Sequence, residues 1–158
     1  MKWNHVLILM ACVLLPLLVG GVAGGLTASG ISEWYQNLEK PFFNPPNYLF
    51  GIVWPVLYVL MGVSLFLIWV SPPHLDKRAA YVAFSVQLLL NFFWSFIFFN
   101  FREPAWALLE ILILVVCVFW MIHTFYSIRR WAAFLQVPYF LWVIFAAALN
   151  ASIWILNY

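Results

Sequence analysis

Charged side chains are scarce in this sequence. Asp, Glu, Lys and Arg make up only 8% of its 158 residues, against about 25% in an ordinary soluble domain. A surface that faces water on every side cannot be built from so few charges. The formal net charge of +2 is small and is spread over isolated loop positions. The chain therefore lacks the basic face of a nucleic-acid-binding protein, and we expect no nucleic-acid partner.

Cysteine is also rare, with only Cys12 and Cys117 in the chain. Both lie within apolar runs, where a thiol usually packs as a small hydrophobic group. No Cys-x-x-Cys or Cys/His spacing is present, so the sequence predicts neither a disulfide framework nor a metal site.

Long apolar runs take the place of charge. A helix rises 1.5 Å per residue and needs about 20 apolar residues to cross the hydrocarbon core of a bilayer. Such continuous apolarity differs from the alternating pattern of membrane barrel strands. The sequence therefore predicts an all-α integral membrane protein, with residues 1–158 forming a single five-helix transmembrane domain. The predicted spans are Val6–Ala28, Tyr48–Val70, Ala79–Phe99, Ala105–Tyr126 and Trp131–Leu156.

Basic residues are distributed unequally between the two ends of these spans. Five lie on the side of the N-terminus and two on the opposite side, so the positive-inside rule predicts a cytoplasmic N-terminus and an outward-facing first loop in a bacterial cell membrane. The five are Lys2, Lys77, Arg78, Arg129 and Arg130, and the two are Lys40 and Arg102.

Glycines cluster near the end of the first run. Gly20 and Gly24, and Gly21 and Gly25, form two overlapping Gly-x-x-x-Gly pairs, which typically let a second helix approach closely. A cleaved signal peptide is the alternative for this segment. The span-length run and its glycine pairs favour a membrane helix that packs closely on another helix.

Polar and aromatic residues recur together on the faces of three predicted helices. They indicate either interhelical hydrogen bonding or a cavity for a flat, mostly apolar ligand. We expect the proline-containing loop 30–47 to act as a lid over such a cavity. The faces consist of Trp54 and Tyr58 in the second helix, Gln87, Asn91 and Trp94 in the third, and Tyr139, Trp142, Ala146 and Asn150 in the fifth.

Three motifs together resemble the TspO/MBR family, also called translocator proteins, tryptophan-rich sensory proteins or peripheral benzodiazepine receptors. The resemblance covers essentially the whole chain. It implies a five-helix bundle, commonly a homodimer, that binds porphyrins and benzodiazepine- or isoquinoline-type ligands beneath the first loop, in a bacterial membrane or the mitochondrial outer membrane. The motifs are Trp34-Tyr35-x-x-Leu38-x-Lys40-Pro41-x-x-Asn44-Pro45-Pro46, then Gln87, Asn91 and Trp94, and finally Pro138-Tyr139-x-x-Trp142-x-x-Phe145-Ala146-x-x-Leu149-Asn150.

The resemblance also implies a set of ligand-binding positions and, from bacterial relatives, a light-dependent degradation of porphyrin, for which Trp54 and Trp142 are the candidate residues. In animal relatives a Tyr and a basic residue follow the equivalent of Asn150, but no Lys or Arg follows Asn150 here. Sterol binding through that weak pattern is therefore not expected. The ligand-binding candidates are Tyr35, Trp54, Tyr58, Gln87, Asn91, Trp94, Trp106, Trp142, Phe145, Ala146 and Asn150.

Two functional classes remain open at this point. One is a receptor or sensor that binds a tetrapyrrole, a protoporphyrin-type ligand, with no cofactor required. The other is a transporter of tetrapyrroles or sterol-like lipids, which would favour polar residues throughout the inner half of the bundle. His123 is the main such residue there. A conventional enzyme has little support, because Glu110 and His123 point roughly 220° apart on one helix.

Overall fold

The computed structural model describes residues 3–158, so Lys2 of the charge count lies outside the described residues. Over this range the secondary structure consists of helices and their connecting turns. The α-helices are α1 (Trp3–Ser29), α2 (Asn47–Trp69), α3 (Arg78–Ser95), α4 (Pro104–Ile128), α5 (Arg130–Phe134) and α6 (Val137–Asn157).

Five helical segments are long and apolar enough to cross a membrane. They correspond to α1, α2, α3 and α4 with their continuing turns, and to α5 together with α6. The prediction of an all-α, five-span membrane protein is therefore confirmed. Each of these helices reverses the direction of the previous span, as short connections between antiparallel neighbours require.

The fifth span differs from its prediction as one helix over 131–156. The chain turns at Leu135 and Gln136, which separate the short α5 from α6. Pro138 lies in the first turn of α6. Because proline has no N–H to donate to the carbonyl four residues earlier, it favours the start of a helix and disfavours its interior.

The end of the bundle that contains Ser29, Asn47, Pro104 and Asn157 is called the upper end below, and the opposite end the lower end. At the upper end α1 continues through a π-helical turn (Gly30–Trp34) and a 3₁₀ turn (Tyr35–Asn37), and α3 continues through a π-helical turn (Phe96–Asn100). These irregular segments meet: a Cβ at Gly30 would overlap the backbone of Phe99. The contact holds the start of the first loop against α3.

The lower half of the bundle is closely packed. α1 packs mainly on α2, α3 on α4, and α4 on α6. Met61, Ile68 and Phe125 are completely buried there. A Cβ at Gly62 of α2 would overlap the backbone of Val13 in α1, so glycine is what allows these two helices to touch.

The glycine cluster of α1 does not behave as its sequence pattern predicts. Only Gly20 is in close contact, against the ring of Tyr58 on α2. A Cβ at Gly21, Gly24 or Gly25 would meet no atom within 4 Å in the described chain. The expected close helix contact is therefore wrong for these three positions within one chain, because the α1–α2 contact is made lower down, at Gly62.

Candidate functional site

A cavity of about 400 Å³ lies in the upper half of the bundle, between α1, α2, α3 and α6. Its volume falls within the range of small-molecule binding sites, about 300 to 1,000 Å³. Seven of the eleven sequence-predicted ligand residues line it, and the structure therefore brings most of the predicted site together. These seven are Tyr35, Trp54, Tyr58, Trp94, Trp142, Ala146 and Asn150.

Aromatic rings form opposite walls of the cavity. On α2, Trp54 stacks on Tyr58 with ring centroids 5.5 Å apart and an angle of 27° between the planes. On α3, Trp94 stacks on Phe98 at 5.3 Å and 22°. On α6, Trp142 meets Phe50 of α2 edge to face at 5.8 Å. Such broad apolar faces suit a flat ring system, since offset aromatic pairs add to the free energy of area burial.

The roof of the cavity is formed by the end of the first helical segment. Tyr35 is only 5% exposed and lines the cavity, and its hydroxyl donates a hydrogen bond to Asn44 Oδ1 at 2.9 Å. The Lys40 ammonium lies 4.9 Å from the centre of the Tyr35 ring, within the range of a cation–π contact. Loop 30–47 therefore covers the cavity, as the sequence predicts.

A second tether joins this loop to the end of the chain. The Glu39 backbone N–H donates to Asn157 Oδ1 at 2.9 Å, and Asn157 Nδ2 donates to the Glu39 carbonyl at 3.0 Å. The same Nδ2 also donates to the Ile153 carbonyl at 2.8 Å. Sequence reasoning missed Asn157, because nothing local in the sequence connects residues 118 positions apart.

The floor of the cavity is a hydrogen-bond network. The Tyr58 hydroxyl donates to Asn91 Oδ1 at 2.9 Å, Asn91 Nδ2 donates to the Tyr139 hydroxyl at 3.1 Å, and that hydroxyl donates to Gln87 Oε1 at 2.9 Å. Only Tyr58 of these four lines the cavity. Gln87 and Asn91, predicted as ligand residues, instead lie beneath it and hold Tyr58 and Tyr139 in place.

Asn150 does line the cavity, but its amide is already paired. Its Oδ1 accepts a hydrogen bond from Trp94 Nε1 at 3.2 Å, and its Nδ2 donates to the Pro104 carbonyl at 2.8 Å. Asn150 therefore fixes the orientation of one wall indole and ties α6 to the start of α4.

Two further predicted residues lie away from the cavity. Trp106 is 65% exposed, because its neighbour Ala107 occupies the buried face of α4 and consecutive helical residues point about 100° apart. Phe145 packs behind the cavity, against Trp142 at 5.3 Å and Phe43 of the loop at 6.2 Å. The expectation that these two contact a ligand is not supported by their positions.

One polar group near the cavity is left unpaired. The indole nitrogen of Trp142 is buried and has no hydrogen-bond partner within residues 3–158. A buried donor without an acceptor costs about 1 to 3 kcal/mol. Since the Trp142 side chain lines the cavity, a ligand with an acceptor atom could recover part of this free energy.

The ionisable residues weighed from the sequence do not join the cavity. Both carboxyl oxygens of Glu110 are buried without a partner in the described chain, but Glu110 does not line the cavity. His123 is exposed. Among residues 3–158, no three His, Cys, Asp or Glu side chains lie close enough to hold a metal ion.

Comparison with known proteins gives a consistent match along the chain. The model of the TspO/MBR family matches residues 12–155. The tryptophan-rich protein TspO of Archaeoglobus fulgidus is 39% identical over 97% of this chain and 99% of its own length. The tryptophan-rich sensory protein of Cereibacter sphaeroides is 33% identical over 80% and 78%. The translocator protein of Homo sapiens is 33% identical over 77% and 73%.

Proposed function

This chain belongs to the TspO/MBR family of integral membrane proteins, and we propose from that premise that it is a receptor or sensor for porphyrins and other flat, hydrophobic molecules. The proposed site is the upper cavity. The observation that carries the proposal is the arrangement of that cavity, with aromatic walls on three helices beneath a tethered roof.

The chemistry of the lining supports this ligand class. The polar groups of Tyr35, Tyr58, Trp94 and Asn150 are already hydrogen-bonded within the protein. The cavity therefore offers few free polar partners and is suited to an apolar ring system. The unpaired Trp142 indole N–H provides one position where an acceptor atom on the ligand would be favoured.

The lower half of the bundle favours binding over transport. Tyr58 and the network beneath it close the cavity floor, and below that floor Gly62 and Val13 bring α1 and α2 into contact. A route through the lower half would require these packed helices to separate. We therefore place transport second to ligand binding.

Light-dependent porphyrin degradation belongs to this proposal as an additional activity. Trp54 and Trp142 line the cavity from two different helices and are the residues that a bound porphyrin would contact through its ring. Loss of porphyrin absorbance under light, with dioxygen as the oxidant, should then require both the intact protein and bound porphyrin. Illumination without dioxygen and a dark sample are the matched controls.

A tryptophan-fluorescence titration with protoporphyrin IX tests the proposal. Each well-placed aromatic contact adds about 0.5 to 1.5 kcal/mol, so Trp54→Phe or Trp142→Phe should raise the dissociation constant by about 2- to 12-fold. Trp120→Phe is the control, since Trp120 is exposed and lies outside the cavity.

The outcome of this titration separates three cases. Saturable quenching weakened only in the Trp54 and Trp142 variants, at unchanged thermal stability, supports the site. Linear quenching without saturation indicates partitioning into lipid or detergent and refutes the proposal. Loss of binding in all three variants in parallel with stability would mean that these indoles serve only to pack the bundle.

A further inference from the structure

The residues that line the cavity differ in exposure in an ordered way. Most are buried or half-buried, and five are exposed. All five lie on the two helices α1 and α2, so the cavity opens between these helices. The five are Gly21, Gly24, Asn47, Gly51 and Pro55.

Glycine keeps this opening wide. A Cβ at Gly21, Gly24 or Gly51 would meet no atom within 4 Å. Lower down, Gly62 and Val13 are in contact, so α1 and α2 touch in the lower half and leave a gap in the upper half.

Proline weakens one lip of the gap. Pro55 lies inside α2 and has no N–H to donate to the carbonyl of Gly51, four residues earlier. The backbone of α2 is therefore less constrained at the opening than elsewhere along the helix.

The opening faces lipid. It lies about 6 to 12 Å below the upper ends of the two helices, counting 1.5 Å per residue, which is within the hydrocarbon of one leaflet. The residues that flank it are exposed and apolar: Leu18 and Val22 on α1, and Ile52 and Val56 on α2. The aqueous side, by contrast, is covered by the roof with its two tethers at Asn44 and Asn157.

We infer that the gap between α1 and α2 is a lateral portal through which ligand exchanges directly between the cavity and the membrane. The inference rests on the proposed function, and it adds the source of the ligand. The molecules that reach the site are flat, apolar compounds dissolved in the bilayer, and the roof stays closed while they pass.

Exchange kinetics in lipid nanodiscs test the portal, with protoporphyrin IX as the probe and stopped-flow tryptophan quenching as the signal. In Gly24→Leu the new side chain stands in the opening and raises the barrier for entry and exit alike. Association and dissociation rates should both fall, on the order of tenfold, while the dissociation constant changes by much less. Gly25→Leu is the matched control, because Gly25 is exposed on the same helix but does not line the cavity.

A second variant on the opposite lip, Gly51→Leu, provides the same test if Gly24→Leu does not fold. Unchanged rates in the portal variants, or a changed dissociation constant without slower exchange, would overturn the inference. Faster exchange in Asn157→Ala, which loosens the roof, would also overturn it by showing that ligand leaves through the aqueous side.

Two further outcomes are distinct. If Gly24→Leu and Gly25→Leu both break up a dimer in chemical cross-linking and leave exchange unchanged, the glycine face is a contact with a second copy and not a portal. If the unsubstituted protein shows no saturable quenching, the proposed function fails. Saturable quenching with unaltered portal-variant rates refutes the portal alone.

Discussion

The tether between Asn157 and the backbone of Glu39 should determine how often the roof opens. Asn157→Ala removes both hydrogen bonds that join the loop to the end of α6, at 2.9 and 3.0 Å. The other roof contact, between Tyr35 and Asn44, is left in place. The variant should therefore fold normally but open its roof more frequently.

The size of the effect follows from the number and exposure of these bonds. A protein hydrogen bond contributes about 0.5 to 1.5 kcal/mol net, and the lower part of this range applies because both bonds are exposed to solvent. Two such bonds give about 1 to 2 kcal/mol, which corresponds to a roof that opens about 5 to 30 times more often.

Amide hydrogen exchange measures this opening without any ligand. The Glu39 N–H is protected by Asn157, so its exchange rate should rise by that factor in Asn157→Ala. Ser152→Ala is the control, because Ser152 lies on the same helix and donates only to the Ala148 carbonyl. Equal exchange at Glu39 in the parent and in Asn157→Ala, or an equal rise in both variants, would refute the reasoning.

Three further predictions concern topology and packing. Asn37→Cys, in the exposed first loop, should react with a membrane-impermeant thiol reagent added to intact bacterial cells; labelling only after permeabilisation would reverse the orientation. Gly62→Ala should lower the thermal midpoint by the cost of overpacking, about 1 to 3 kcal/mol, whereas Gly25→Ala, with open space around it, should not. Tyr58→Phe should also lower the midpoint, since it leaves the buried Asn91 carbonyl without its donor at a cost of about 1 to 3 kcal/mol; an unchanged midpoint would mean that the floor network contributes little.

The helical fold could be predicted from the sequence because its signals are local. Apolar length and the placement of charges are enough to locate five spans, and the helix ends agree with the prediction to within a few residues. The break before α6 also has a local signal, Pro138, which the prediction of a continuous span did not use. The roof is similar in this respect, since Tyr35 and the loop prolines mark it in the sequence.

The membership of the site depends on how each helix is rotated, and this was only partly predictable. In a soluble protein the polar face of a helix marks its exposed side. In a membrane both the lipid and the protein core are apolar, so hydropathy does not distinguish the two sides of a helix. For this reason Trp106 was expected in the cavity and lies outside it, and Gln87 and Asn91 were expected on its wall and lie beneath it.

The sequence by itself therefore determined the class of protein, the number of spans and the aromatic character of the candidate site. Only the tertiary structure decided which glycines touch another helix and which border an opening, and only it joined Glu39 to Asn157. The physical reason is that hydrophobic length and turn chemistry act between neighbours along the chain. Helix rotation and the contacts of distant residues depend instead on how side chains from different helices fit together.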